Sequence, residues 1–541
     1  MTKALMPTMM DAQLTLDWIA DRAERYMATS EIVSRRPDRS LSRTTWGAVI
    51  GRARKLARAL VGAGIQRGDR VATLMWNHAE HLEAYFGVPL AGATIHTLNL
   101  RLHPDEIAYI ANDAGDRFLI VDDVLLPLYE KIVASGARFE RVFVVRDAAA
   151  AKSPALESYA GLVDLAPDIA LPKLAETDAL GTCYTSGTTG KPKGVVYSHR
   201  STLLHVLVAA LPDSLDFKHE MTVLPVVPMF HVNAWGIPYI AAMVGAKLVM
   251  PGPHLDPASL LELMQGERVT CAAGVPTIWI GIRDALDAEP GRWKLQPGVR
   301  MVVGGSAAPE QLIRDFDRLG LHLLHAWGMT ETSPIGTVAR LPPELAGADE
   351  ATRYRMRAKQ GRPVPLVDIR VRNQAGDVPC DDTTSGEVQI RGPWIASSYA
   401  GGHTPERWTD DGYFCTGDVA RIDAHGFIQL TDRMADLIKS GGEWIASQEL
   451  ENALMGHPAV REAAVIGVAH PKWSERPLAA VVLKQGATCT AEELRTFLAA
   501  KFAKFWLPDA FVFVEAIPRT SAGKFKKTEL REQFKSWQWG S

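Results

Sequence analysis

From residue 45 onward, stretches with helical spacing alternate with short apolar stretches, and this alternation limits the possible folds more than any other feature. Residues 46–61 carry Ala and Leu at helical spacing, residues 71–75 form a short apolar run, and residues 78–90 return to the helical pattern. Parallel strands need long crossover connections, which are usually helices. The sequence therefore predicts an α/β fold in which parallel strands are covered by helices.

Two later changes of pattern predict the domain organisation. Short strands separated by Gly and Asp turns around residues 369–390 indicate antiparallel pairing. After Asp432 a compact α+β unit is predicted, with a helix at 447–455, strands at 463–468 and 478–482, a helix at 491–505 that starts with the capping box Thr490 and Glu493, and a strand at 511–514. Because 541 residues are ample for more than one domain, we predict a large N-terminal domain at 1–432 and a small C-terminal domain at 433–541.

The charge balance narrows the choice of partners. The chain has 59 Lys and Arg against 62 Asp and Glu, so no strong overall field favours nucleic acid or an anionic membrane surface. Its five cysteines form no C-x-x-C pair, which disfavours a zinc site and a disulfide framework. We therefore expect reduced thiols, no nucleic-acid partner and a cytoplasmic location.

Two segments could be taken for membrane signals. The N-terminal residues lack the continuous apolar core of a signal peptide, because Asp11 interrupts them. Residues 222–250 are long enough for a membrane span, but Pro225, Pro228 and Pro238 interrupt them. We predict a buried strand, loop and helix there, and no transmembrane segment.

The segment YTSGTTGKPKGVVY, residues 184–197, is the strongest local signal for chemistry. Its glycines allow backbone N–H groups to turn toward a polyanion, while hydroxyl and ammonium groups add donors and positive charge. The residues concerned are Thr185, Ser186, Gly187, Thr188, Thr189, Gly190, Lys191, Lys193 and Gly194. Pro192 follows Lys191, so the segment does not match the Walker loop. It predicts a phosphate-binding loop, with a flexible linker as the alternative.

Further motifs follow this loop in a fixed order, and together they resemble the ANL superfamily of acyl-CoA synthetases, adenylation domains and luciferases. They are GGSAAP at 304–309, AWGMTET at 326–332, YFCTGD at 413–418, DR at 432–433 and PRTSAGK at 518–524. The resemblance covers nearly the whole chain. It implies an adenylate-forming enzyme whose small domain rotates about a hinge near Arg433.

The resemblance assigns a nucleotide site, and the residue types suit it. Trp327 offers a flat face for adenine, and Gly304 and Gly305, followed by Ser306, permit close backbone approach. Thr330 supplies a hydroxyl for the α-phosphate, and Asp418 can accept hydrogen bonds from the ribose hydroxyls. The remaining expected contacts are Arg433 to ribose or phosphate, and Glu331 with Thr185 to Mg²⁺.

Two residue groups are expected to act in the two half-reactions. Lys524 can bring a cation to the point where the carboxylate attacks the α-phosphorus, so it is the expected adenylation residue. By resemblance, Ser440, Gly441, Gly442, Glu443 and Trp444 line the channel for the coenzyme A thiol; an ordinary glycine turn is the alternative. At the hinge, Ala435 stands where the family usually carries Asp or Lys, and Asp436 or the backbone nearby would then take up the rotation.

The acyl pocket is predicted from a largely apolar set of residues. His231 matches the family's aromatic position between acid and adenylate, where a neutral imidazole orients the carboxylate; a buried core histidine is the alternative. The other expected residues are Val232, Trp235, Gly236, Gly274, Val275, Pro276 and Gly328. They include no Lys, Arg or Asp, so a hydrophobic tail is favoured and an amino acid is disfavoured.

These observations predict an ATP-dependent, AMP-forming acid-thiol ligase that uses Mg²⁺ and coenzyme A. The expected substrate is a medium-chain fatty acid or a short thioether acid such as 3-methylmercaptopropionate, and a homodimer is expected from resemblance. Three alternatives stay open: a long-chain fatty acyl-CoA ligase, a free-standing enzyme that loads a carrier protein, and a non-catalytic nucleotide-sensing protein.

Overall fold

The computed structural model describes residues 8–146, 156–185, 191–441, 443–520 and 524–539. Their strands are β1 (Glu31–Arg35), β2 (Leu41–Thr45), β3 (Arg70–Leu74), β4 (Thr94–Thr97), β5 (Asp116–Asp122), β6 (Arg141–Val145), β7 (Glu157–Ser158), β8 (Ala179–Tyr184), β9 (Gly194–Ser198), β10 (Thr222–Pro225), β11 (Lys247–Met250), β12 (Cys271–Gly274), β13 (Arg300–Val303), β14 (His322–Gly328), β15 (Ile335–Val338), β16 (Arg362–Pro363), β17 (Asp368–Asn373), β18 (Gly376–Asp377), β19 (Gly386–Arg391), β20 (Phe414–Ile422), β21 (Ile428–Arg433), β22 (Ile438–Ser440), β23 (Glu443–Ile445), β24 (Val460–His470), β25 (Ser474–Leu483) and β26 (Ala510–Phe513).

The helices alternate with these strands as the sequence predicted. They are α1 (Asp17–Tyr26), α2 (Trp46–Gly62), α3 (Ala79–Leu90), α4 (Pro104–Ala114), α5 (Leu126–Ala134), α6 (Tyr159–Asp164), α7 (His199–Ala210), α8 (Val232–Trp235), α9 (Ile237–Val244), α10 (Pro257–Gly266), α11 (Pro276–Ala288), α12 (Glu310–Arg318), α13 (Glu350–Ala358), α14 (Ser447–Met455), α15 (Ala491–Ala499) and α16 (Lys527–Gln533).

Two largely parallel sheets form the framework of the large region. One has the strand order β7-β6-β5-β3-β4-β8-β9, and only its β8–β9 pair is antiparallel. The other has the order β16-β15-β14-β13-β12-β10-β11-β1-β2, with parallel pairing from β14 to β1. The predicted mixed α/β class is confirmed.

Local packing explains why α2 and α3 lie close against each other. The Thr45 side chain accepts the Ala48 N–H at the start of α2, which caps the helix. A Cβ at Gly87 of α3 would lie 2.8 Å from the Ala53 carbonyl oxygen of α2, so only glycine permits this close helix contact. The two helices therefore pack as one layer.

The carboxyl ends of parallel strands place the site. Strands β12, β13 and β14 are neighbours and all parallel, so the residues that follow Gly274, Val303 and Gly328 emerge at one edge of the sheet. Ligands in open α/β sheets bind at this edge, and the predicted nucleotide-binding segments start there.

A third, antiparallel sheet with the order β18-β17-β19-β20-β21 follows, as predicted, and a separate sheet carries the C-terminal residues. In that last sheet β24 and β25 are antiparallel, β26 is parallel to β25, and α14 and α15 pack against one side. The predicted helix at 491–505 was too long, because α15 ends at Ala499. The chain then turns so that Phe502 and Trp506 stack with ring centroids 5.9 Å apart. Both rings pack against the small core, the apolar cluster between the C-terminal sheet and helices α14 and α15.

Residues 222–250 adopt the predicted buried strand, turn and helix as β10, α8, α9 and β11. Over the described ranges, no helix combines the length and the apolar character needed to cross a membrane.

Candidate active site

A cavity of about 280 Å³ opens where the large sheets meet the C-terminal unit. It brings together residues that lie hundreds of positions apart in the sequence. The predicted site residues that line it are Thr185, Lys191, Lys193, His231, Val232, Trp235, Gly304, Gly305, Trp327, Gly328, Thr330, Glu331, Asp418, Arg433 and Lys524. The predicted nucleotide and acyl residues therefore share one continuous space.

Other predicted residues lie outside this lining. Ser306 lines a neighbouring cavity of about 160 Å³. Gly236 and Gly274 have packing roles, because a Cβ would lie 3.0 Å from the His205 ring or 2.9 Å from the Trp279 ring. Val275, Pro276, Ser440, Gly441, Glu443 and Trp444 line neither cavity. Ser186, Gly187, Thr188, Thr189, Gly190 and Gly442 lie outside the described residues.

The predicted adenine and ribose residues form a hydrogen-bonded group. The Trp327 indole N–H donates to Asp418 Oδ2 at 3.0 Å, which fixes the ring beside the carboxylate. Arg433 Nε lies 3.4 Å from Asp418 Oδ1, and the two residues are register partners on β20 and β21. A buried carboxylate is thus held between an indole and a guanidinium, with its position set by a β-ladder.

Two glycines determine where the indole lies. A Cβ at Gly336 would be 2.8 Å from Trp327 Cζ3, and a Cβ at Gly328 would be 1.6 Å from the Pro334 carbonyl oxygen. Both contacts are shorter than real side chains allow. Glycine at 336 therefore leaves room for the Trp327 ring, and glycine at 328 lets the chain beside Trp327 pass close to Pro334.

The two described ends of the predicted phosphate loop are tied together. Thr185 N–H donates to the Lys193 carbonyl oxygen at 3.0 Å, and Lys193 N–H donates to Thr185 Oγ1 at 3.1 Å. Lys193 Nζ donates to Thr404 Oγ1 at 3.2 Å and lies 5.1 Å from the Tyr399 ring centroid. The loop thus starts and ends on the antiparallel β8–β9 pair, which fixes the lysine beside the cavity.

Glu331 suits the predicted metal role. It is buried, and its Oε1 accepts the Tyr399 hydroxyl at 2.5 Å, which leaves the second oxygen for another partner. In the described part of the chain no group of three or more His, Cys, Asp or Glu side chains converges to hold a metal. Mg²⁺ usually binds one or two carboxylates together with substrate phosphates, so Glu331 fits an ion that enters with ATP.

The charges around the cavity favour a polyanion. Its described lining carries five cationic side chains, namely Lys191, Lys193, Arg407, Arg433 and Lys524, against the two carboxylates Glu331 and Asp418. Arg407 was missed by the sequence analysis; its Nε donates to the Cys415 carbonyl oxygen at 2.7 Å. An excess of fixed positive charge in a partly closed site attracts a triphosphate.

Lys524 reaches this space from the C-terminal unit. A Cβ at Gly305 would lie 3.8 Å from Lys524 Cε, so the lysine passes directly over the glycine loop. Burial lowers the pKa of Lys524 to about 8; Arg433 adds to the effect, while Asp418 and Glu331 oppose it. The side chain is therefore mostly a cation at neutral pH.

The acyl end of the cavity depends on an unusual backbone segment. Five consecutive residues from Val232 to Gly236 have φ between 44° and 74°. This left-handed turn is costly for residues with side chains. The Asn233 side chain holds it to β8, since Asn233 Oδ1 accepts the Cys183 thiol at 3.4 Å. The turn places Val232 and Trp235 in the lining, with the Trp235 ring beside Gly304.

His231 stands immediately before this turn. Burial, together with the nearby cations Lys524 and Arg101, lowers the pKa of His231 to about 3, so its imidazole is neutral at pH 7. Further apolar lining comes from residues that the sequence analysis missed: Leu102, Leu215, Val302, Pro334 and Ile335. Leu102 and Leu215 lie away from any motif. Val302 stands just before the motif at 304–309, and Pro334 and Ile335 just after the one at 326–332, but apolar residues at these positions carry no signal of their own.

Tyr399 was also missed; it is buried and lies in the run SSYAGG after β19, where an aromatic residue beside glycines was a usable signal. Asn99, Tyr184, Ala326, Met329, Thr416, Gly417, Met434 and Ala435 complete the lining. Most of these lie inside or next to the motifs from which the site residues were predicted.

Comparison with known proteins agrees with this geometry. Residues 19–400 match the AMP-binding enzyme family, and residues 449–524 match the AMP-binding enzyme C-terminal domain. The chain is 50% identical to a long-chain-fatty-acid–CoA ligase of Thermus thermophilus, with 99% of each chain covered. It is 43% identical to a medium-chain-fatty-acid–CoA ligase of Ectopseudomonas oleovorans, covering 98% of each. It is also 43% identical to a 3-methylmercaptopropionyl-CoA ligase of Ruegeria pomeroyi, covering 98% of this chain and 99% of that one.

The chain therefore belongs to the AMP-binding enzyme family. The class predicted from the sequence, an AMP-forming acyl-CoA ligase of the ANL superfamily, is confirmed.

Proposed function

We propose that this enzyme converts a medium-chain fatty acid or a short thioether acid such as 3-methylmercaptopropionate to its coenzyme A thioester through an acyl-adenylate. One observation carries the proposal: a single cavity joins a cationic, Trp327-walled end to an apolar end beside Trp235, with Lys524 at their junction. The three relatives act by name on long-chain, medium-chain and methylmercapto acids. A carboxylic acid with an apolar tail is common to all of them.

The first half-reaction uses the cationic end. An oxygen of the substrate carboxylate attacks the α-phosphorus of ATP, the bond to the bridging oxygen breaks, and pyrophosphate leaves. Lys524 supplies a cation where the charges of carboxylate and phosphate meet, and Thr330 supplies a hydroxyl donor. Trp327 and Asp418 hold adenine and ribose, and neutral His231 orients the carboxylate. Glu331 and Thr185 would hold a Mg²⁺ ion that arrives with ATP, and such an ion would neutralise phosphate charge.

The second half-reaction transfers the acyl group. The sulfur of coenzyme A attacks the acyl carbon, the bond to the AMP oxygen breaks, and AMP leaves while the thiol proton goes to solvent. We assign the thiol channel to the segment 440–444 by resemblance. Because its described residues line neither cavity in the present arrangement, this role requires the C-terminal domain, residues 433–541, to rotate on residues 1–432 between the two steps.

The tail length follows from the position of Trp235. Its ring lines the cavity of about 280 Å³ beside Gly304, and we infer that it bounds the space for the tail there. This supports a short or medium tail. A long-chain acid is the second candidate, favoured by the relative of 50% identity, and it would require the Trp235 ring to move.

The test measures AMP and acyl-CoA formation from ATP, Mg²⁺ and coenzyme A with straight-chain acids of increasing length and 3-methylmercaptopropionate. We expect an optimum at a medium chain or at the thioether acid, and an optimum at long chains would favour the second candidate.

Lys524→Ala should lower the rate of adenylate formation by roughly 10²–10³-fold, as removal of a transition-state donor does elsewhere. Equal loss of transfer from a supplied acyl-adenylate would contradict the role given to Lys524.

The oligomeric state and the cellular location are inferred from the family that the sequence resembles. We propose a cytoplasmic homodimer. Light scattering coupled to size exclusion would give the mass directly, and a monomer at micromolar concentration would contradict the dimer. Fractionation of the source cells would test the location.

A further inference from the structure

Four buried polar residues meet where β21 passes into the C-terminal unit, and the proposed mechanism does not use them. They are Asp432 on β21, Ser447 and Glu451 on α14, and Lys527 at the start of α16; we call them the junction cluster. Asp432, Ser447 and Glu451 are at most 5% exposed, and the Lys527 side chain is 10% exposed. Burial of charged groups away from water costs free energy, so the presence of these groups in the interior calls for an explanation.

Hydrogen bonds connect the junction cluster in series. Lys527 Nζ donates to Ser447 Oγ at 2.6 Å and lies 2.7 Å from Glu451 Oε1. The Ser447 hydroxyl donates in turn to Asp432 Oδ2 at 2.7 Å, and the same carboxylate oxygen accepts the Ser447 N–H. Lys527 is thereby linked to Asp432 through a single serine.

The two ends of this series lie beside residues of the active site. Asp432 precedes Arg433, which pairs with the proposed ribose residue Asp418. At the other end, Lys527 belongs to the same short segment as Lys524. That segment is held locally, because Thr520 N–H donates to the Lys524 carbonyl oxygen and Lys526 N–H to the Pro518 carbonyl oxygen.

The space between the two ends of this hydrogen-bonded series supports a positioning role for Lys527. Asp432, Glu451, Lys524 and Lys527 all line the cavity of about 160 Å³ that adjoins the nucleotide site. Lys524 and Lys527 therefore border one space, which β21 also lines through Asp432. A shift of the α16 start relative to β21 would move Lys524 with it.

A contribution to stability does not by itself explain a buried cluster of charged groups. A buried ion pair can often be replaced by apolar residues without loss of stability, whereas removal of one partner is costly. Burial raises the pKa of Glu451 to about 7 although Lys527 opposes the rise, and burial also raises the pKa of Asp432. The carboxylates favour the cation enough to raise the pKa of Lys527 despite its burial.

We propose that Lys527 is a positioning residue for adenylate formation: through Ser447 and Asp432 it fixes the segment that carries Lys524 against β21, so that the Lys524 ammonium reaches the nucleotide site. The inference rests on the proposed function, since it concerns the first half-reaction of that chemistry. It does not require Lys527 to touch substrate.

The experiment compares Lys527→Met with the wild type in two separate assays. Acid-dependent pyrophosphate release reports adenylate formation, and acyl-CoA formation from synthetic acyl-adenylate and coenzyme A reports transfer. We expect pyrophosphate release to fall by roughly 10²-fold, because a 1 Å misplacement of a reacting group can cost that much. The KM for ATP should change little, transfer should be retained, and Lys527→Arg should restore most of the rate.

The neighbour Lys526 provides a matched control. It is 49% exposed, and its Nζ lies 3.4 Å from Glu529, so Lys526→Met removes a lysine charge one residue away without touching the junction cluster. Lys526→Met should behave as wild type. Equal loss in Lys526→Met and Lys527→Met, or equal loss in both half-reactions, would overturn the proposal.

A second variant covers the case in which Lys527→Met does not fold. The double substitution Lys527→Met with Glu451→Gln removes both charges of the buried pair and keeps an amide oxygen for the Val465 N–H that Glu451 Oε1 accepts at 2.8 Å, so it should keep the melting temperature near that of the wild type. Adenylation should remain impaired in it; full activity in the folded double variant would show that Lys527 is structural only. If the wild type itself releases no pyrophosphate with any acid, the proposed function fails and not merely this inference.

Discussion

The two ends of the active-site cavity are built differently. At the nucleotide end, side chains from the short motifs hydrogen-bond to one another or to residues of the loop that follows β19: Trp327 to Asp418, Tyr399 to Glu331 and Lys193 to Thr404. At the acyl end, a left-handed turn from Val232 to Gly236 presents Val232 and Trp235 among apolar residues from scattered segments. Polar recognition thus depends on directed contacts, while the apolar end depends on shape.

This difference predicts that each end can be changed without the other. Contacts at the nucleotide end are directional, so a small displacement there should weaken ATP binding and leave the choice of acid intact. Removal of one large ring at the acyl end should do the reverse. The substitutions below test this separation, beginning with the largest expected effect.

Gly336→Ala should disturb only the nucleotide end. The new Cβ would lie 2.8 Å from Trp327 Cζ3 and 3.2 Å from Ile390 Cδ1, so the indole must move although its N–H is bonded to Asp418. Overpacking of this kind costs about 1–3 kcal/mol, so the KM for ATP should rise roughly 5- to 150-fold. Initial-rate kinetics at saturating acid would measure it.

Gly347→Ala is the matched control, because a Cβ there meets nothing within 4 Å. It should leave the KM for ATP unchanged. If Gly336→Ala altered the order of preference among acids as strongly as it altered ATP binding, the two ends would not be independent.

Trp235→Ala should disturb only the acyl end. Loss of the ring beside Gly304 enlarges the apolar space, so longer acids should gain roughly tenfold in kcat/KM relative to short ones, the scale of one or two methylene groups in an apolar pocket. The acid series used for the proposed function measures this directly. Trp18→Ala, at a residue 58% exposed on α1, controls for the loss of a tryptophan. An unchanged chain-length profile would remove Trp235 from the pocket.

The same difference explains what the sequence could and could not predict. Glycine, hydroxyl and charged residues at the nucleotide end occur in contiguous segments, since loops at strand ends present them, so Trp327, Glu331 and Asp418 were identified as site residues. Leu215, Val302 and Ile335 carry no such pattern, because any apolar residue fills space equally well until the fold is known. Their contribution follows only from tertiary contacts.

Fold prediction shows the same limit on a larger scale. Helix α14 was predicted at 447–455 and begins and ends there, because its apolar face and flanking residues are local features. Helix α15 was predicted to 505 yet ends at Ala499, because the stacking of Phe502 on Trp506 depends on the packing of the small core. The left-handed turn at Val232 was equally invisible, since four of its five residues are not glycine.

The pH dependence of adenylation tests the position of Lys524 between the two ends of the cavity. Its expected effect is the smallest of those considered. Lys524 acts as a cation and its pKa in the ligand-free enzyme is lowered to about 8, so kcat/KM for adenylation should be constant at lower pH and fall as pH rises, by about twofold at pH 8, where half of the lysine is neutral. Arg433 contributes to that lowering, so Arg433→Gln should raise the pKa of Lys524 and move the decline to higher pH. Pyrophosphate release measured from pH 6 to 10 would show both curves; the substrate carboxylate stays ionised throughout. A wild-type profile that is flat through pH 9, or a decline that moves to lower pH in Arg433→Gln, would contradict the placement of the Lys524 cation beside Arg433.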